Sequence, residues 1–270
     1  MNSLRIRCQL YLYNITFYYT VDKTNEHSLS EIENLSDADF ICLYKGKIKC
    51  PECMKPLLSL VKKEGAAYLR TYPNQPHGFV NENRCTYGFD TASKKLMEKY
   101  VEELRKKKKI KSLLEGIMRK LFKQDMESSS MSKINERRLN NPLLIERIQS
   151  GGTIKRNIIP HYSFKSWGKN IPQDQLLIIY GKVYIDLKEI NKKNGKGEEL
   201  KQTYIHFKDI STKKLITSCI KPKGLKIDKG NYYAVVLGKC CKNESKGYIY
   251  YNIWINAPIE ESVLLQPYQC

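Results

Sequence analysis

Two cysteines separated by two residues, Cys50 and Cys53 in the segment IKCPECMKPLL, have the clearest chemical potential in this chain. Thiols at this spacing serve as half of a metal site or as a redox pair, because one tight turn brings both sulfurs together. They can also be two unrelated core thiols. A thioredoxin-type pair needs a strand-to-helix junction in a βαβ pattern, and Pro56 and the flanking lysines do not predict such a helix. The pattern therefore favours a metal knuckle.

A metal knuckle needs two further ligands, and the segment YPNQPHGFVNENRCTYGF supplies a histidine and a cysteine. Zinc takes four nitrogen or sulfur ligands in a tetrahedron, and a loop rich in Pro, Gly and Asn can fold back to complete one. Cys42 is interpreted instead as a thiol in the core of a strand. We therefore predict a structural Zn²⁺ site with four ligands: Cys50, Cys53, His77 and Cys85.

Residues 40–89, followed by a lysine-rich helix, resemble the N-terminal zinc-finger-like region of the competence protein CoiA family. The resemblance consists of a CPxC knuckle, a short hairpin, a histidine followed by Gly-Phe, and a later cysteine, matched here by Cys50, Pro51, Cys53, His77, Gly78, Phe79 and Cys85. It covers about a quarter of the 270 residues. The resemblance implies a zinc-ribbon-like module in a DNA-handling protein. The nuclease half of that family has no counterpart in this chain, so nuclease activity is not carried over.

The charge of the chain predicts an anionic partner. Its 47 Lys and Arg outnumber 28 Asp and Glu, which gives a net charge of +19. Such a surplus makes the compact state self-repulsive unless nucleic acid or an anionic membrane balances it. The sequence has no long apolar run, lipidation motif or signal peptide, so we favour nucleic acid over membrane and predict a cytoplasmic protein. The nine cysteines are then thiols or metal ligands.

Apolar periodicity divides the chain into parts of different character. It alternates with a period of two in residues 4–13, as in a half-buried strand, and with helical spacing after residue 90. A short helix is expected at PLLIERIQS, where Pro142 suits the first helical position and Gly151 and Gly152 follow. We predict an α+β protein with a zinc-ribbon-like β domain at 1–90, a basic helix at 91–125, a linker with a short helix at 126–174, an OB-like five-stranded barrel at 175–258, and a tail at 259–270.

The predicted basic helix contains the run RKKKKIK. Consecutive cations cover all sides of a helical turn, so the few glutamates before them cannot pair with every one. Phosphates that they neutralise would release condensed counterions, which gives salt-sensitive affinity without sequence preference. A solvated helical face is the alternative. The candidate phosphate contacts are Arg105, Lys106, Lys107, Lys108, Lys109 and Lys111.

The C-terminal strands repeat one plan, with aliphatic residues on one face and tyrosines and lysines on the other. An OB-fold binds single strands with this combination, because bases stack on rings while lysines follow the backbone. The alternative is that the aromatic face is covered by other protein. The candidate nucleic-acid contacts are Tyr180, Lys182, Tyr184, Tyr204, Lys208, Lys239, Tyr248, Tyr250 and Trp254.

The sequence therefore predicts a nucleic-acid-binding protein, with single-stranded DNA or RNA favoured, in DNA processing, replication or the machinery of a mobile element. No catalytic constellation is recognised: the acidic residues are scattered, and there is no phosphate-cradling Gly-Lys-Thr loop. Two alternatives remain open, a nuclease of CoiA-like type and an adaptor whose basic face docks an acidic protein.

Overall fold

The computed structural model describes residues 17–19, 26–27, 29–50, 53–63, 66–80, 83–122, 141–149, 152–167, 171–193, 199–245, 248–255 and 262–268. The strand predicted at residues 4–13 lies outside these ranges. The described chain is α+β and mostly sheet, as predicted. It divides into two units, one formed by Met1–Ala92 with Leu144–Ile158, the other by Ser93–Leu143 with Ile159–Cys270. None of the described helices is long and apolar enough to cross a membrane.

The described part of the first unit contains short strands and two short α-helices. The helices are α1 (Leu29–Ile32) and α2 (Asp37–Leu43). The strands are β1 (Phe17–Tyr19), β2 (Glu26–His27), β3 (Ile48–Lys49), β4 (Leu58–Lys63), β5 (Ala66–Thr71), β6 (Phe79–Val80), β7 (Asn83–Arg84), β8 (Asp90–Thr91), β9 (Leu144–Ile148) and β10 (Ile154–Ile158). They form a β2-β1-β3 sheet, two hairpins (β4-β5 and β6-β7) and a β8-β10-β9 sheet.

Helix α2 occupies a segment for which strand structure was expected, and Cys42 lies exposed on it rather than in a strand core. The hydroxyl of Ser36 caps the helix by accepting a hydrogen bond from the backbone N–H of Asp39 at 3.1 Å, and two aspartates in the first turn suit the positive end of the helix dipole. Phe40 is the buried residue of the helix. It belongs to a small core with Leu29, Ile32, Ile48, Leu58 and Leu69.

The short helix expected at residues 142–150 is wrong, because this segment forms strand β9. It pairs antiparallel with β10 through five registered positions, from Ile154 opposite Ile148 to Ile158 opposite Leu144. Between the strands, Gln149 donates its N–H to the carbonyl of Thr153, and Gly152 adopts a φ of 78°. The partner strand decides the outcome, since a short apolar segment with mixed periodicity fits either structure.

The basic segment forms two helices of the second unit rather than one. Helix α3 spans Lys94–Lys106 and begins with Ser93, whose hydroxyl accepts from the N–H of Leu96. Helix α4 spans Ile110–Leu121. The helical conformation is interrupted between them at three lysines, of which Lys108 has a φ of 52°. The left-handed conformation of that residue ends the first helix, so the cations do not surround one continuous turn.

The C-terminal strands form one curled antiparallel sheet, a half-barrel, with a short parallel strand added. Its strands are β11 (His161–Ser163), β12 (Leu176–Lys193), β13 (Glu199–Lys208), β14 (Leu215–Ile220), β15 (Gly230–Ser245), β16 (Tyr248–Trp254) and β17 (Val263–Pro267). The main order is β14-β13-β12-β15-β16, while β11 pairs with β12 and β17 with β15. Three consecutive strands with the fourth returning beside the first make a Greek key.

Strand β12 pairs with two partners in succession, β15 through Leu176–Ile185 and β13 through Tyr184–Lys193. Its inward side chains Leu177, Ile179, Val183 and Ile185 are fully buried. Gly181 lies among them, and a Cβ there would be 3.3 Å from the ring of Phe164, which stacks on Phe207 in the core. A glycine therefore lets this central strand pass close to the core aromatic rings.

The two edge strands of the half-barrel, β14 and β16, are joined through side chains. Ser218 donates its hydroxyl to the amide oxygen of Asn252 at 2.8 Å. Thr217 donates to the backbone carbonyl of Tyr251 at 2.9 Å. Both β14 residues are buried, so these bonds satisfy groups that water does not reach.

We predict that Ser218→Ala lowers the free energy of unfolding of the second unit by about 1 kcal/mol, because Asn252 loses its donor at the join between the edge strands. The double variant with Asn252→Ala should lose less than the sum of the single variants. Both tryptophans of the chain, Trp167 and Trp254, belong to the second unit, so urea unfolding followed by tryptophan fluorescence reports on it. Ser211→Ala, in an exposed turn, is the control and should change nothing measurable.

Candidate metal centre and basic faces

Four ligand atoms from three separate segments converge in the first unit. They belong to Cys50, Cys53, His77 and Cys85, and all lie within 4.8 Å of one another. The sulfurs of Cys50 and Cys85 are 3.7 Å apart. The Nδ1 atom of His77 lies 3.6 Å from the sulfur of Cys53 and 3.5 Å from that of Cys85. The structure thus brings together the four residues that the spacing suggested.

Three of the six distances between these ligand atoms fit a single tetrahedral metal ion. With metal–sulfur bonds of about 2.3 Å and a metal–nitrogen bond of about 2.0 Å, tetrahedral angles place sulfurs about 3.8 Å apart and nitrogen about 3.5 Å from sulfur. The observed 3.7 Å between Cys50 and Cys85 and the 3.5 and 3.6 Å to His77 agree with that figure. A disulfide would need sulfurs about 2.05 Å apart, so the same 3.7 Å excludes a bond between Cys50 and Cys85.

The first ligand pair is positioned by a tight backbone turn. Met54 donates its N–H to the carbonyl of Cys50 at 2.9 Å, and the N–H of Cys50 bonds the carbonyl of Pro56 at 3.2 Å. Met54 adopts a φ of 54°, the left-handed conformation that such a turn requires. The turn therefore fixes the position of Cys53 relative to Cys50 through the main chain.

The second ligand pair is positioned by the β6–β7 hairpin. Phe79 pairs with Arg84, and the next bond outward runs from the N–H of Cys85 to the carbonyl of Gly78 at 2.9 Å. His77 and Cys85 thus sit at the open end of the hairpin. Gly78 is in close contact with the aliphatic stem of Lys55, which lies just after the first knuckle, so a side chain at position 78 would displace it.

Burial defines the kind of site. Cys50, Cys53 and Cys85 are 1%, 9% and 0% exposed, and Tyr87 packs against them. The Nε2 atom of His77 is also buried and has no hydrogen-bond partner among the described residues. An enclosed set of four protein ligands is typical of a structural metal site, whereas catalytic sites keep one position for water or substrate. The arrangement can hold a metal ion and cross-link the turn to the hairpin.

The predicted cations of the basic segment fall into two groups. Arg105 and Lys106 end helix α3 and pair with Glu102, at 3.1 and 3.9 Å. The remaining residues are exposed in the turn between the helices and at the start of α4; they are Lys107, Lys108, Lys109 and Lys111. The exposed turn therefore carries three of the six cations that the sequence singled out, and a fourth follows it in α4.

Part of the predicted aromatic and lysine face is covered by other parts of the second unit. Tyr180 lies edge-on to Phe122, which follows helix α4, with ring centroids 6.4 Å apart, and also contacts His161. Lys182 stands over the rings of Tyr233 and Tyr268. Lys239 is only 17% exposed and pairs with Glu98 at 3.5 Å and Asp174 at 3.3 Å. The packing alternative therefore fits Tyr180 and Lys239, whereas Lys182 contacts two rings and remains exposed.

A second part of the predicted face lies on the outer side of β12 and β13. Cross-strand partners there are Tyr184 with Lys208, Asp186 with His206, and Lys188 with Tyr204. Tyr184 and Tyr204 are half-buried and Lys188 is exposed. We call these six residues the β12–β13 face. Rings and cations alternate across it, because neighbouring strands present opposite partners on the same side of the sheet.

Three of the remaining candidates are at strand β16. The strand positions of Tyr248 and Tyr250 are described, but their side chains lie outside what the structure describes. Trp254 is 44% exposed and lies opposite Lys239 in the β15–β16 pairing. Of these three, only Trp254 has an accessible ring that the structure describes.

Asp186 organises the charges of the β12–β13 face. Its carboxylate accepts from Lys208 at 2.7 Å and pairs with Lys229 at 3.0 Å. These two hydrogen-bonded ammonium groups hold the pKa of Asp186 well below its usual range. Burial, assisted by Lys188 and Lys208, lowers the pKa of His206, so this imidazole is neutral at pH 7.

Sequence reasoning missed two side chains that join this face, Lys213 and Lys229, and it placed His206 outward without making it a candidate contact. Lys213 comes from the β13–β14 turn and places its ammonium group 3.9 Å from the ring centroid of Tyr184. The carboxylate of Asp209 shapes that turn by accepting from the N–H groups of Ser211 and Thr212. The alternation of strand β13 already placed His206 outward, whereas nothing in the sequence indicated where the two loop lysines lie.

No protein-family model, curated protein or solved structure matches this chain. Its function must therefore be inferred from the chemistry and placement of its own side chains.

We expect the first unit to bind one metal ion per chain. Titration of the metal-free protein with Co²⁺ should give thiolate-to-cobalt and tetrahedral d–d absorption that saturates at one equivalent, because three sulfurs and one nitrogen surround one point. Cys85→Ser should abolish the saturation of Co²⁺ absorption at one equivalent, and it should lower the thermal stability of the first unit. His77→Cys, which keeps four ligands, should retain binding. Cys42→Ser is the control, since that thiol is exposed on α2. Unchanged Co²⁺ spectra in Cys85→Ser would contradict the site.

We also predict a pH-dependent stability difference between the wild type and Asp186→Asn. Because the folded-state pKa of Asp186 is lowered, its charge stabilises the fold above the unfolded-state pKa, about 3.9, and this contribution is lost as pH falls through and below that value. The wild type should have the higher melting temperature at pH 7, and its difference from the melting temperature of Asp186→Asn should narrow as pH falls from 5 to 3. Melting curves across this range measure it, with Asp228→Asn as an exposed control in the same unit. A gap that stays constant with pH would show that Asp186 is not stabilised as an anion.

Proposed function

We propose that the protein binds single-stranded nucleic acid on the β12–β13 face of an OB-like barrel, and that a zinc ion stabilises its first unit. The observation that carries the proposal is the alternation of two tyrosines with lysines on one outer face of the half-barrel. Rings that stack on bases and cations that follow phosphates are the combination by which proteins bind single strands without sequence preference.

The strand order supports an OB-like barrel. Three consecutive strands, β12, β13 and β14, precede a fourth, β15, that returns beside the first, and side chains link β14 to β16. An OB-fold is a five-stranded, partly open Greek-key barrel that binds oligonucleotides on the face of its second and third strands. Here the second strand is β13, which supplies Tyr204, His206 and Lys208. The candidate face therefore shares one strand, β13, with the surface that such barrels use, and extends from it onto the first strand, β12.

The spacing of the rings suits separate bases. Tyr184 and Lys188 are four residues apart on β12, which is roughly 13 Å along the strand. Since Tyr204 lies opposite Lys188, the two tyrosines are too far apart to hold the same base. Each ring that stacks on a base contributes about 1 to 3 kcal/mol. Two such contacts give moderate affinity, and additional contacts along the strand add to it.

The charges of the face suit a phosphate backbone. Lys188 and Lys213 are exposed, and Asp186 anchors Lys208 and Lys229 beside them. A single carboxylate among four lysines leaves the face positive while fixing two ammonium groups in position. The net charge of +19 supports the same kind of partner, since long-range attraction raises the rate of encounter with nucleic acid.

Zinc is the metal that best suits the Cys₃His site. Thiolate and imidazole ligands in an enclosed tetrahedron are typical of structural zinc, as in zinc ribbons. The ligand distances of 3.5, 3.6 and 3.7 Å agree with zinc–ligand bond lengths. In this proposal zinc holds the fold of the first unit, and the protein acts in the cytoplasm in DNA processing, replication or a mobile element's machinery.

The proposal predicts which tyrosines matter for binding. Tyr184→Ala and Tyr204→Ala should each weaken binding of a labelled oligo-dT strand about 5- to 150-fold, the equivalent of about 1 to 3 kcal/mol for one lost stacking contact. Tyr180→Ala is the matched control, because Phe122 and His161 cover that ring. Lys188→Ala should lower the slope of log affinity against log salt by about 0.7, the value for one phosphate of a single strand. Fluorescence anisotropy over a salt series measures both effects.

The outcome also discriminates between functions. If oligonucleotides do not bind even at low salt, the proposal is wrong and an adaptor for an acidic protein is favoured. If Tyr180→Ala weakens binding as much as Tyr204→Ala, the β12–β13 face is not the site. Cleavage of the strands with added divalent metal ions, abolished by neutralising a single carboxylate, would favour a nuclease.

A further inference from the structure

We infer that the β9–β10 hairpin of the first unit is a second nucleic-acid contact, a two-stranded ribbon that enters the major groove of duplex DNA. The inference rests on the proposed nucleic-acid function. Its residues differ from those of the β12–β13 face, and they lie in the first unit rather than the second. The first strand of this hairpin, β9, lies in the segment that the sequence alone assigned to a short helix.

The hairpin is buried at its base and exposed towards its turn. At the base, Ile145 and Ile158 are 2% and 3% exposed, and β10 pairs in parallel with β8. The N–H of Ala92 also bonds the carbonyl of Ile158 at 2.8 Å. The strand ends nearest the turn therefore project from a fixed base, and they are the part that is available to a partner.

Two isoleucines lie opposite each other at the exposed end. Ile148 and Ile154 are Cα partners and are 80% and 53% exposed. Exposed aliphatic side chains that stand alone are common and need no explanation, but an adjacent pair on a projecting ribbon is a small apolar patch. The patch shares its side of the hairpin with the ion pair between Arg156 and Glu146, whose atoms are 2.6 Å apart.

The other side of the hairpin brings two cations together. Arg147 and Lys155 are Cα partners, both exposed, and the guanidinium of Arg147 donates to the neutral amide of Asn157 at 3.0 Å. Like charges directly opposite each other destabilise a strand pair. An anion that bridges them removes that repulsion. The described hairpin strands carry three cations and one carboxylate, so charge complementarity favours an anionic partner such as the phosphates of nucleic acid.

The shape and the kind of apolar side chain favour duplex DNA. The major groove of B-DNA, about 12 Å wide, admits a two-stranded ribbon, whereas the major groove of an RNA duplex is too narrow for side chains to reach its bases. Single strands are held by stacking on aromatic rings, which this hairpin does not offer. Isoleucines suit the methyl groups of thymine in the major groove. With the isoleucines towards the bases, the long side chains of Arg147 and Lys155, on the opposite side of the ribbon, extend to phosphates at the edge of the groove.

The test compares a labelled, A·T-rich DNA duplex with the same duplex carrying deoxyuridine for thymidine, which removes only the methyl groups. Wild-type protein should bind the thymidine duplex several-fold more tightly, and the double variant Ile148→Ser/Ile154→Ser should bind about tenfold more weakly and no longer distinguish the two. Lys155→Ala should lower the salt slope for the duplex by about 0.9, the value for one phosphate. An RNA duplex of the same sequence should bind more weakly than the DNA.

Matched controls separate this inference from the proposed function. Ile41→Ser removes an aliphatic side chain that is 54% exposed on α2, and Lys45→Ala removes an exposed cation, both in the first unit. Both should leave duplex binding unchanged, and the hairpin variants should leave binding of oligo-dT unchanged. Retained Co²⁺ binding shows that a variant's first unit is folded.

Three results would overturn the inference. The first is equal duplex affinity for the hairpin variants and their controls while oligo-dT still binds. The second is equal discrimination against deoxyuridine by wild type and the isoleucine variant, which would remove Ile148 and Ile154 from the groove. The third is an effect of the isoleucine variant on oligomeric state alone in sedimentation, which would assign the patch to a second copy of this chain. Loss of oligo-dT binding through the β12–β13 face is a separate failure, of the proposed function.

Discussion

The second unit depends on one strand, β12, which must form hydrogen bonds to two different partner strands, one along each half of its length. Its first half bonds to β15 and its second half to β13, and every other strand of the half-barrel joins through one of these two or through β12 itself. Gly181 lies where the strand passes closest to Phe164, and no side chain is present there to push the core rings away. The curl of the sheet, and with it the outward row of polar and aromatic residues, follows from this shared ladder.

Because β12 changes partner along its length, the outward side chains of its first half and of its second half lie in different surroundings. In the first half, the outward residues Tyr180 and Lys182 meet Phe122, Tyr233 and Tyr268. In the second half, the outward side chains meet their partners on β13 and the lysines of nearby loops. Alternation determines that these residues point away from the core. Only the neighbouring elements decide whether pointing outward means facing solvent.

In the first unit the described strands are two to six residues long and the described apolar core is small. Its main cluster holds six buried residues. A second cluster consists of three cysteines with Tyr87 against them, at the place where the turn of Cys50 and Cys53 meets the β6–β7 hairpin. Small cores of this size commonly depend on a cross-link or a metal for stability. A metal ion at this point would cross-link the turn to the hairpin.

The sequence by itself determined the residues that depend on local pattern. The CxxC spacing and the folded-back loop identified all four members of the Cys₃His cluster, because one tight turn holds Cys50 and Cys53 and one hairpin holds His77 and Cys85. The meeting of these two pairs is a tertiary contact. Alternation likewise identified the inward residues Leu177, Ile179, Val183 and Ile185 of β12. The combination of strand and helix patterns identified the α+β class. Tertiary structure decided the rest. The segment of Ile145 and Ile148 became a strand because β10 is its partner, and the lysine run was divided by the left-handed conformation of Lys108. The pairing of Lys239 with Glu98 and Asp174, and of Lys208 and Lys229 with Asp186, joins residues distant in sequence. Such contacts arise only when strands and loops pack, so no local pattern of charges could reveal which lysines remain available to a partner.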